Sequence, residues 1–334
     1  MRWTLLVLLL VCILGLLLAR PTEGFAGPET IFVSIASYRD ADCMTTVKDI
    51  FAKARDPTRV FIGVVEQNSA KQAEQCVPTE FLYHDNVRKI SIPNGEAKGP
   101  CYARYLCSTL YRNETYFMQI DSHSTFVHDW DAKAIDALKK CPSQKPILSG
   151  YPHDDATYDI NETTVPVLCD SLWNSDGVPQ LKAVVKKKEE IGDTPQPIPF
   201  TSGGFVFAPG SLVREVPYDP SLHHLFQGEE ILYTARAWTS GYDMFTSPVN
   251  IVLHKYYRKD EPKFWDDVPN WHADQKKSAK RVRQILALET PIIAPGQDPY
   301  GLGTQRTVQQ YWEFSGLDPK TKTSKSKAKF CALK

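Results

Sequence analysis

The chain has 334 residues, of which 39 are basic, 39 are acidic and 42% are hydrophobic. This length is enough for one large domain, or two small ones, with a sizeable core. The charged fraction of 23% argues against a disordered chain and against a protein with many membrane spans. Because proteins that bind nucleic acid through bulk electrostatics are usually basic, the balanced charge argues against a nucleic-acid partner.

The N-terminus carries an uncharged apolar run from Leu5 to Ala19, which ends at Arg20. The run is about 15 residues long, shorter than the ~20 that usually span a bilayer. It is either a cleaved signal peptide or a short signal anchor, and we favour the anchor. Residues 1–20 are therefore predicted to be a membrane anchor and residues 21–29 a short stem, with the rest of the chain in the secretory lumen.

Seven of the eight cysteines follow this apolar run, and an oxidising lumen permits disulfides. Seven is an odd number, so at least one thiol is predicted to remain unpaired, and the sequence leaves the pairing open. No two cysteines have the Cys-x-x-Cys spacing of a zinc ribbon or a thioredoxin site. The N-glycosylation sequons at Asn113 and Asn161 are compatible with a luminal location.

Predicted strands and helices alternate in the first half of the folded region, which begins at Thr30. Apolar runs of strand length occupy residues 31–36, 60–65, 87–92 and 116–120. Helical patterns occupy residues 45–54, a stretch that begins at Pro100, and residues 129–140. Strands that alternate with helices form βαβ units around a parallel sheet. We therefore predict an α/β fold with a mostly parallel central sheet.

The second half of the chain is less regular. Short strand patterns occur at residues 165–168, 181–185, 203–208 and 251–253. Helical spacing occurs at residues 227–238 and in a basic amphipathic segment at residues 274–289. No internal repeat or linker divides the chain, so residues 30–317 are predicted to form one domain. The Lys-rich residues 318–334 are predicted to be a disordered tail.

The strongest chemical signal is the tripeptide Asp121-Ser122-His123, which ends a predicted strand. In open α/β sheets, ligands bind at the carboxyl ends of the strands. A carboxylate and an imidazole separated by one extended residue can both reach one cation, and oxygen with nitrogen ligands suits Mn²⁺ better than Ca²⁺. His254 follows another predicted strand and is a candidate third ligand. The alternatives are a polar turn without a metal and a surface histidine.

Two further segments suggest contacts to a polar ligand. Glu229 and Glu230 begin a predicted helix, where the helix dipole favours acidic side chains whether or not they bind a ligand. In a binding site, either carboxylate would accept hydrogen bonds from ligand hydroxyls. Gly203 and Gly204 precede a predicted strand, where they would let a ligand approach the backbone or would simply form a tight turn.

The loop after the first predicted strand, residues 34–40 (SIASYRD), lies where a nucleotide would bind in a doubly wound sheet. Arg39 in this loop and Arg104 in a later helix are candidate phosphate contacts, because a guanidinium binds phosphate through paired hydrogen bonds. The chain lacks the Gly-x-Gly-x-x-Gly fingerprint, the P-loop motif and the Gly-x-Ser-x-Gly nucleophile elbow. Dinucleotide sites, P-loop sites and that class of hydrolase are therefore not indicated.

Taken in order, three segments resemble the polypeptide α-N-acetylglucosaminyltransferase family. They are residues 34–40 (SIASYRD), 99–104 (GPCYAR) and 119–123 (QIDSH), the last with Trp130-Asp131 behind it. The family includes a cytoplasmic transferase that modifies hydroxyproline in a ubiquitin-ligase subunit and a membrane-bound transferase that starts mucin glycans in trypanosomatids. The resemblance extends from about Thr30 to Tyr257, and the ordered set is much more specific than any one segment.

The chain is also similar to the mucin-type GalNAc-transferases in the order Asp121-Ser122-His123, Gly203-Gly204-Phe205 and Gly228-Glu229-Glu230. These resemblances imply a GT-A fold, a UDP-sugar donor, retention of the anomeric configuration and a divalent metal, usually Mn²⁺. They imply metal ligation by Asp121, His123 and His254. The candidate catalytic residues are Asp121, Glu229 and Glu230, and the candidate donor-binding residues are Ser37, Arg39, Arg104, Asp121, Ser122, Gly203 and Gly204.

The expected activity is transfer of GlcNAc from UDP-GlcNAc to a Thr, Ser or hydroxyproline hydroxyl of a polypeptide. The N-terminal apolar segment favours Thr or Ser of a secretory protein over a cytosolic hydroxyproline, and a single-pass type II protein of the Golgi membrane. Alternatives within the fold are transfer from UDP-GalNAc or UDP-Gal. Alternatives of another class are a non-catalytic, membrane-anchored sugar-binding protein and a metal-dependent hydrolase.

Overall fold

A computed structural model describes residues 29–159, 163–290 and 294–332. The strands in these ranges are β1 (Ile31–Tyr38), β2 (Val60–Asn68), β3 (Val87–Pro93), β4 (Tyr116–Asp121), β5 (Ser124–Phe126), β6 (Pro146–Ser149), β7 (His153–Asp154), β8 (Thr164–Trp173), β9 (Pro179–Lys187), β10 (Gln196–Pro197), β11 (Phe205–Pro209), β12 (Asp243–Thr246), β13 (Val252–His254), β14 (Leu317–Asp318) and β15 (Thr323–Ser324). The helices are α1 (Cys43–Lys53), α2 (Pro100–Ser108), α3 (Trp130–Lys139), α4 (Lys188–Ile191), α5 (Leu212–Glu215), α6 (Glu229–Thr239), α7 (Phe264–Asp267), α8 (Trp271–Ile285), α9 (Val308–Ser315) and α10 (Ser326–Phe330).

The predicted anchor at residues 1–20 lies outside the described residues, as does the stem up to residue 28. Among the residues that are described, no helix is both long enough and apolar enough to cross a membrane.

The central sheet has eight strands in the order β10-β12-β6-β11-β4-β1-β2-β3. Strand β1 lies between β2 and β4 and runs parallel to both, so that Ile31 pairs with Val60 on one side and Tyr116 on the other. Only β10 and β11 run against the direction shared by the other strands of this sheet. The mostly parallel sheet predicted from the alternating pattern is therefore confirmed.

Apolar side chains project from both faces of the sheet. Its inner strands are therefore continuous hydrophobic runs in the sequence. In β1, Ile31, Val33 and Ile35 point into one core cluster, whereas Phe32 points into the other. Helices α1 and α3 cover the first cluster, and α2 and α6 cover the second. The result is an α/β/α arrangement with the carboxyl ends of β1, β2 and β4 at one edge.

A small three-stranded sheet, in the order β5-β13-β7, lies beside that edge. Strand β5 begins three residues after β4 ends, and it pairs antiparallel with β13 so that His254 lies opposite Ser124. The backbone N–H of Lys255 also donates to the carbonyl oxygen of His123, with a nitrogen–oxygen distance of 3.1 Å. This pairing brings a histidine 133 positions away along the chain next to the end of β4.

The prediction of a disordered tail at residues 318–334 is wrong for residues 318–332. There β14 pairs with β15, and the short helix α10 buries Phe330 against the core. A disulfide joins Cys331 to Cys169 in β8. The Lys-rich composition misled the prediction because those lysines face outward, while Ser326, Phe330 and Cys331 are buried anchors.

A second disulfide joins Cys43 to Cys76, and Cys101, Cys107 and Cys141 are buried free thiols. The expectation of at least one unpaired thiol is therefore confirmed. The Cys169–Cys331 bridge spans 162 positions of the chain and fastens the C-terminal segment to the β8–β9 hairpin.

Replacing Cys331 with serine should lower the free energy of unfolding by about 2–4 kcal/mol, because a bridge between distant residues restricts the unfolded chain. The check is urea unfolding of the oxidised protein. The matched control is Cys141→Ser, whose thiol is unpaired and donates only to the carbonyl oxygen of Ala137, a bond that a serine hydroxyl can also make. Equal destabilisation by the two substitutions would show that the bridge contributes nothing beyond loss of a buried sulfur.

Candidate active site

Asp121, His123 and His254 lie together at the carboxyl end of β4, as the sequence predicted. One ligand atom from each residue can be chosen so that all three atoms lie within 4.8 Å of one another. Asp121 Oδ2 is 3.1 Å from His254 Nε2, and the two imidazole rings have centroids 4.6 Å apart. Asp121 is the last residue of β4, His123 lies in the following turn, and His254 ends β13.

This donor set fits a divalent cation such as Mn²⁺, because it combines one carboxylate with two imidazoles. Space for the carboxylate depends on Gly204: a Cβ atom at that position would lie 3.2 Å from Asp121 Oδ2. Burial raises the pKa of Asp121, but the hydrogen bond with His254 and the charge of Arg104 more than reverse this and hold it well below its usual range. Asp121 is therefore a carboxylate, the form that binds a cation.

Behind His123 lies Asp40, a buried carboxylate that the sequence analysis did not select. Asp40 Oδ2 accepts a hydrogen bond from Ser122 Oγ at 2.5 Å and lies 2.8 Å from His123 Nδ1 and 3.0 Å from Arg258 Nη2. Burial raises the pKa of Asp40, but the hydrogen bonds and positive charges of these neighbours outweigh that effect and lower it to about 2. The Asp40 carboxylate therefore connects His123, a predicted metal ligand, to the guanidinium of Arg258 on the opposite loop.

Arg104 has a different setting from the phosphate contact that was predicted. Its guanidinium is buried, with Nη2 donating to Asp121 Oδ1 at 3.2 Å and to the carbonyl oxygen of Gly203 at 2.9 Å. Nη1 forms an ion pair with Glu229, a candidate catalytic residue. Arg104 thus holds two acidic side chains in place, and the Glu229 carboxylate is engaged with Arg104.

Gly203 and Gly204 permit a close approach, but it is the protein's own side chains that approach them. A Cβ atom at Gly203 would lie 3.0 Å from the Arg104 guanidinium nitrogens. The backbone N–H of Gly203 donates to Glu230 Oε1 at 2.8 Å, and Tyr151 Oη donates to Glu230 Oε2 at the same distance. Burial raises the pKa of Glu230.

Two adjoining cavities open at this end of the sheet. The larger, of about 740 Å³, is lined by the three candidate metal ligands, by both glycines and by Glu229, Glu230 and Tyr151. The smaller, of about 170 Å³, lies between the end of β1 and helix α7 and is lined by residues that include Tyr38, Asp40, Gln67 and Ser122. The residues that line both cavities are Pro100, Arg104, Asp121, His123, Phe226, Arg258, Lys263 and Trp265.

The two remaining candidate donor-binding residues lie beside these cavities without lining them. Ser37 is fully buried, and its hydroxyl has no hydrogen-bond partner among the described residues. Arg39 donates from Nη1 to Asp267 Oδ2 at 2.7 Å and from Nε to Glu74 Oε1 at 3.2 Å. Arg39 therefore fastens α7 to the end of β1, which holds one wall of the smaller cavity.

The sequence analysis missed Asp40, Tyr151, Arg258 and Lys263 as site residues. Asp40 was within reach, since it closes the SIASYRD segment that carried the family resemblance. Arg258 follows His254 by four positions, but nothing in the sequence shows that the chain turns there to face Asp40. Tyr151 and Lys263 lie in irregular segments without a pattern that distinguishes them from ordinary surface residues.

Comparison with known families decides the class of protein. A sequence model of the family described as glycosyltransferase (GlcNAc) matches residues 30–82 and 68–321, which is most of the chain. The chain belongs to this GlcNAc glycosyltransferase family. Its match contains Asp121, His123 and His254 together with both cavities, so the site described above lies within the family's domain.

Solved structures give the fold of this GlcNAc glycosyltransferase. It matches the crystal structure of GalNAc-T7 with UDP, GalNAc and Mn²⁺ at a TM-score of 0.56 and 14% identity, over 89% of this chain and 58% of that one. The chain thus spans little more than half the length of that structure. The GT-A fold predicted from the resemblance is confirmed.

Two further structural matches have TM-scores below 0.5. They are mannosyltransferase PcManGT from Pyrobaculum calidifontis with GDP-Man and Mn²⁺ (TM-score 0.48, 14% identity, 76% of this chain and 66% of that chain) and TarS 1–349 of S. aureus with UDP-GlcNAc (TM-score 0.46, 11% identity, 79% and 68%). No curated protein sequence is significantly similar to the chain.

Proposed function

We propose that this glycosyltransferase moves N-acetylglucosamine from UDP-GlcNAc to a Thr, Ser or hydroxyproline hydroxyl of a polypeptide, with retention of configuration and with a divalent metal. The observation that carries the proposal is the cluster of Asp121, His123 and His254 inside a cavity of about 740 Å³. A sugar-binding module would not need two imidazoles and a carboxylate converging on one point at the bottom of its cavity.

The two cavities bind different parts of the sugar donor. The smaller cavity, between the end of β1 and α7, takes the nucleoside, in the position expected for a nucleotide at the carboxyl ends of parallel strands. The diphosphate then lies where the cavities meet, which is where Asp121, His123, Arg258 and Lys263 line both of them. GalNAc-T7, whose fold this chain shares, was solved with UDP, GalNAc and Mn²⁺, and this supports the arrangement.

Asp121, His123 and His254 are the residues that would hold the divalent metal, most consistently Mn²⁺. When bound, such a cation supplies positive charge that offsets the charge developing on the departing diphosphate. Arg258 and Lys263 add cationic side chains to the same wall. The charge balance of the site is thus set for a leaving group with two phosphates.

The sugar lies in the larger cavity, beside Glu230 and Tyr151. Glu230 keeps its position through Gly203 and Tyr151, and from there it accepts hydrogen bonds from sugar or acceptor hydroxyls. Glu229 pairs with Arg104 and Glu230 is held by Gly203 and Tyr151, so we assign neither residue as a carboxylate nucleophile. Retention then follows from attack by the acceptor hydroxyl on the face that UDP leaves. The bond from the anomeric carbon to UDP breaks, the glycosidic bond forms, and the hydroxyl proton passes to the β-phosphate.

The acceptor enters through the mouth of the larger cavity, where Phe226, Tyr256, Tyr257 and Trp265 expose aromatic surface. These rings offer a polypeptide apolar contacts beside the reacting sugar. The proposed location is the Golgi membrane with the domain in the lumen, an assignment that depends on the apolar residues 5–19. Both disulfides are consistent with that compartment.

The test is sugar transfer by the full-length chain, kept in mild detergent, to a Thr-rich peptide and to a hydroxyproline peptide. Each reaction contains one donor, UDP-GlcNAc, UDP-GalNAc or UDP-Gal, with either Mn²⁺ or EDTA. The masses of the peptides are then measured by mass spectrometry. We expect the mass of one N-acetylhexosamine from UDP-GlcNAc with Mn²⁺, and none with EDTA. Transfer from UDP-GalNAc or UDP-Gal alone would replace the proposed sugar, and UDP release without glycopeptide would contradict both acceptors.

A further inference from the structure

We propose that Asp40 is a positioning residue of the metal site, which holds the His123 ring with the lone pair of Nε2 turned toward Asp121 and His254. This inference deepens the proposed function and rests on the metal dependence of that function. Asp40 acts through His123, because its own carboxylate is only 1% exposed and faces the far side of the ring.

Both oxygens of Asp40 are held by donors, so the carboxylate has one fixed orientation. Oδ1 accepts the backbone N–H of Asp42 at 3.0 Å. Oδ2 accepts from Ser122 Oγ at 2.5 Å and from Arg258 Nη2 at 3.0 Å, and it lies 2.8 Å from His123 Nδ1. An ionised carboxylate can only accept, so the ring nitrogen beside it is the donor, which places the proton on Nδ1 and the lone pair on Nε2.

The other side of the ring shows the consequence. There Arg258 Nη1 lies 3.5 Å from His123 Nε2, and because a guanidinium can only donate, Nε2 is the acceptor in this contact. Because Asp40 engages Nδ1, Nε2 is the ring nitrogen left for a metal ion shared with Asp121 and His254. A carboxylate that fixes the tautomer of a ligating histidine in this way is a common support for metal sites.

His254 lacks such a support, which makes Asp40 specific to His123. Its Nδ1 is buried with no hydrogen-bond partner within the described ranges, and its Nε2 lies 3.1 Å from Asp121 Oδ2. The orientation of His254 is therefore set from the metal side, by Asp121, and by ring packing against Tyr256 at a centroid distance of 4.3 Å. Removing Asp40 should consequently disturb one ligand of the three.

The first measurement is the binding of Mn²⁺ alone to the full-length chain. Binding is monitored through the electron paramagnetic resonance signal of the free Mn²⁺. We expect Asp40→Ala to weaken Mn²⁺ binding by about 10- to 100-fold, the usual effect of losing a residue that supports a metal ligand. One variant serves as the control. Asp42→Asn changes a nearby carboxylate that pairs with Lys255, while its backbone N–H still donates to Asp40. This control should not weaken Mn²⁺ binding.

The second measurement is the protonation of His123, read by ¹⁵N NMR of histidine-labelled chain without metal. We expect Nδ1–H in the wild type and loss of that preference in Asp40→Ala. If Asp40→Ala does not fold, the wild-type spectrum and Asp40→Asn, which keeps the side-chain volume, still decide the question. A proton on Nε2 of His123 in the wild type, or unweakened Mn²⁺ binding in a folded Asp40 variant, would overturn the proposal. Neither measurement uses a sugar donor or a polypeptide acceptor, so both are independent of whether sugar transfer is found.

Discussion

Replacing Asp121 with asparagine should lower the rate of sugar transfer by about 100- to 1,000-fold, the scale seen when one group that stabilises transition-state charge is removed. The carboxylate is one of three candidate metal ligands and also accepts from Arg104 and contacts His254. An amide of the same shape loses the negative charge that a cation needs. The measurement is the rate of transfer from UDP-GlcNAc at saturating Mn²⁺.

The matched control for this change is Asp129→Asn. Asp129 has a positive φ of 57°, which asparagine tolerates, and its side chain is about half exposed beside Arg55. We expect that variant to transfer sugar at the wild-type rate. An Asp121→Asn protein that is folded and as active as this control would remove the metal cluster from the mechanism.

Replacing Arg104 with methionine should lower the free energy of unfolding by about 3–5 kcal/mol, because removal of one member of a buried ion pair leaves the other without a partner. Arg104 is 7% exposed and pairs with Glu229 and Asp121 while donating to the carbonyl oxygen of Gly203. Transfer should also fall, since Asp121 and Glu229 lose the group that fixes them. Chemical unfolding and the transfer rate of the folded fraction are the two measurements.

The companion variant combines Arg104→Met with Glu229→Leu. Replacing both members of a buried pair by apolar side chains is often close to neutral for stability. We therefore expect the double variant to regain much of the lost stability but not the activity, because Asp121 still lacks its guanidinium partner. The double variant also serves if Arg104→Met alone does not fold. Wild-type activity in a folded double variant would show that Arg104 and Glu229 contribute to stability and not to sugar transfer.

The parallel strands were predictable because both of their faces are buried. Strands such as β1 therefore read as unbroken apolar runs, and the helical patterns between them are amphipathic. Asp121 and His123 were predictable for a related reason: a polar tripeptide directly after such a run must lie at the carboxyl edge of the sheet. His254 was selected because it follows another predicted strand, and the family resemblance then implied the same residue. Its approach to Asp121 depends on the pairing of β13 with β5, which local pattern does not encode.

The supporting residues of the site could not be predicted, because their roles come from contacts between distant segments. Asp40 and Arg258 are 218 positions apart in the numbering, and only the fold shows them 3.0 Å from each other. Arg104 was predicted to contact phosphate because a guanidinium binds phosphate through paired hydrogen bonds. In the folded chain, Glu229 and Asp121 occupy its guanidinium. The tail was misread because composition reports average polarity and does not reveal the buried residues Ser326, Phe330 and Cys331.

The most direct test of the account is the affinity of the full-length chain for UDP-GlcNAc, measured by calorimetry with Mn²⁺ and again with EDTA. If Asp121, His123 and His254 hold a cation against the donor diphosphate, UDP-GlcNAc binds in Mn²⁺. Its affinity should then fall at least about tenfold both in EDTA and in His254→Ala. Equal affinity with and without the metal, in a folded wild-type chain, would contradict a metal-dependent donor site at the end of β4.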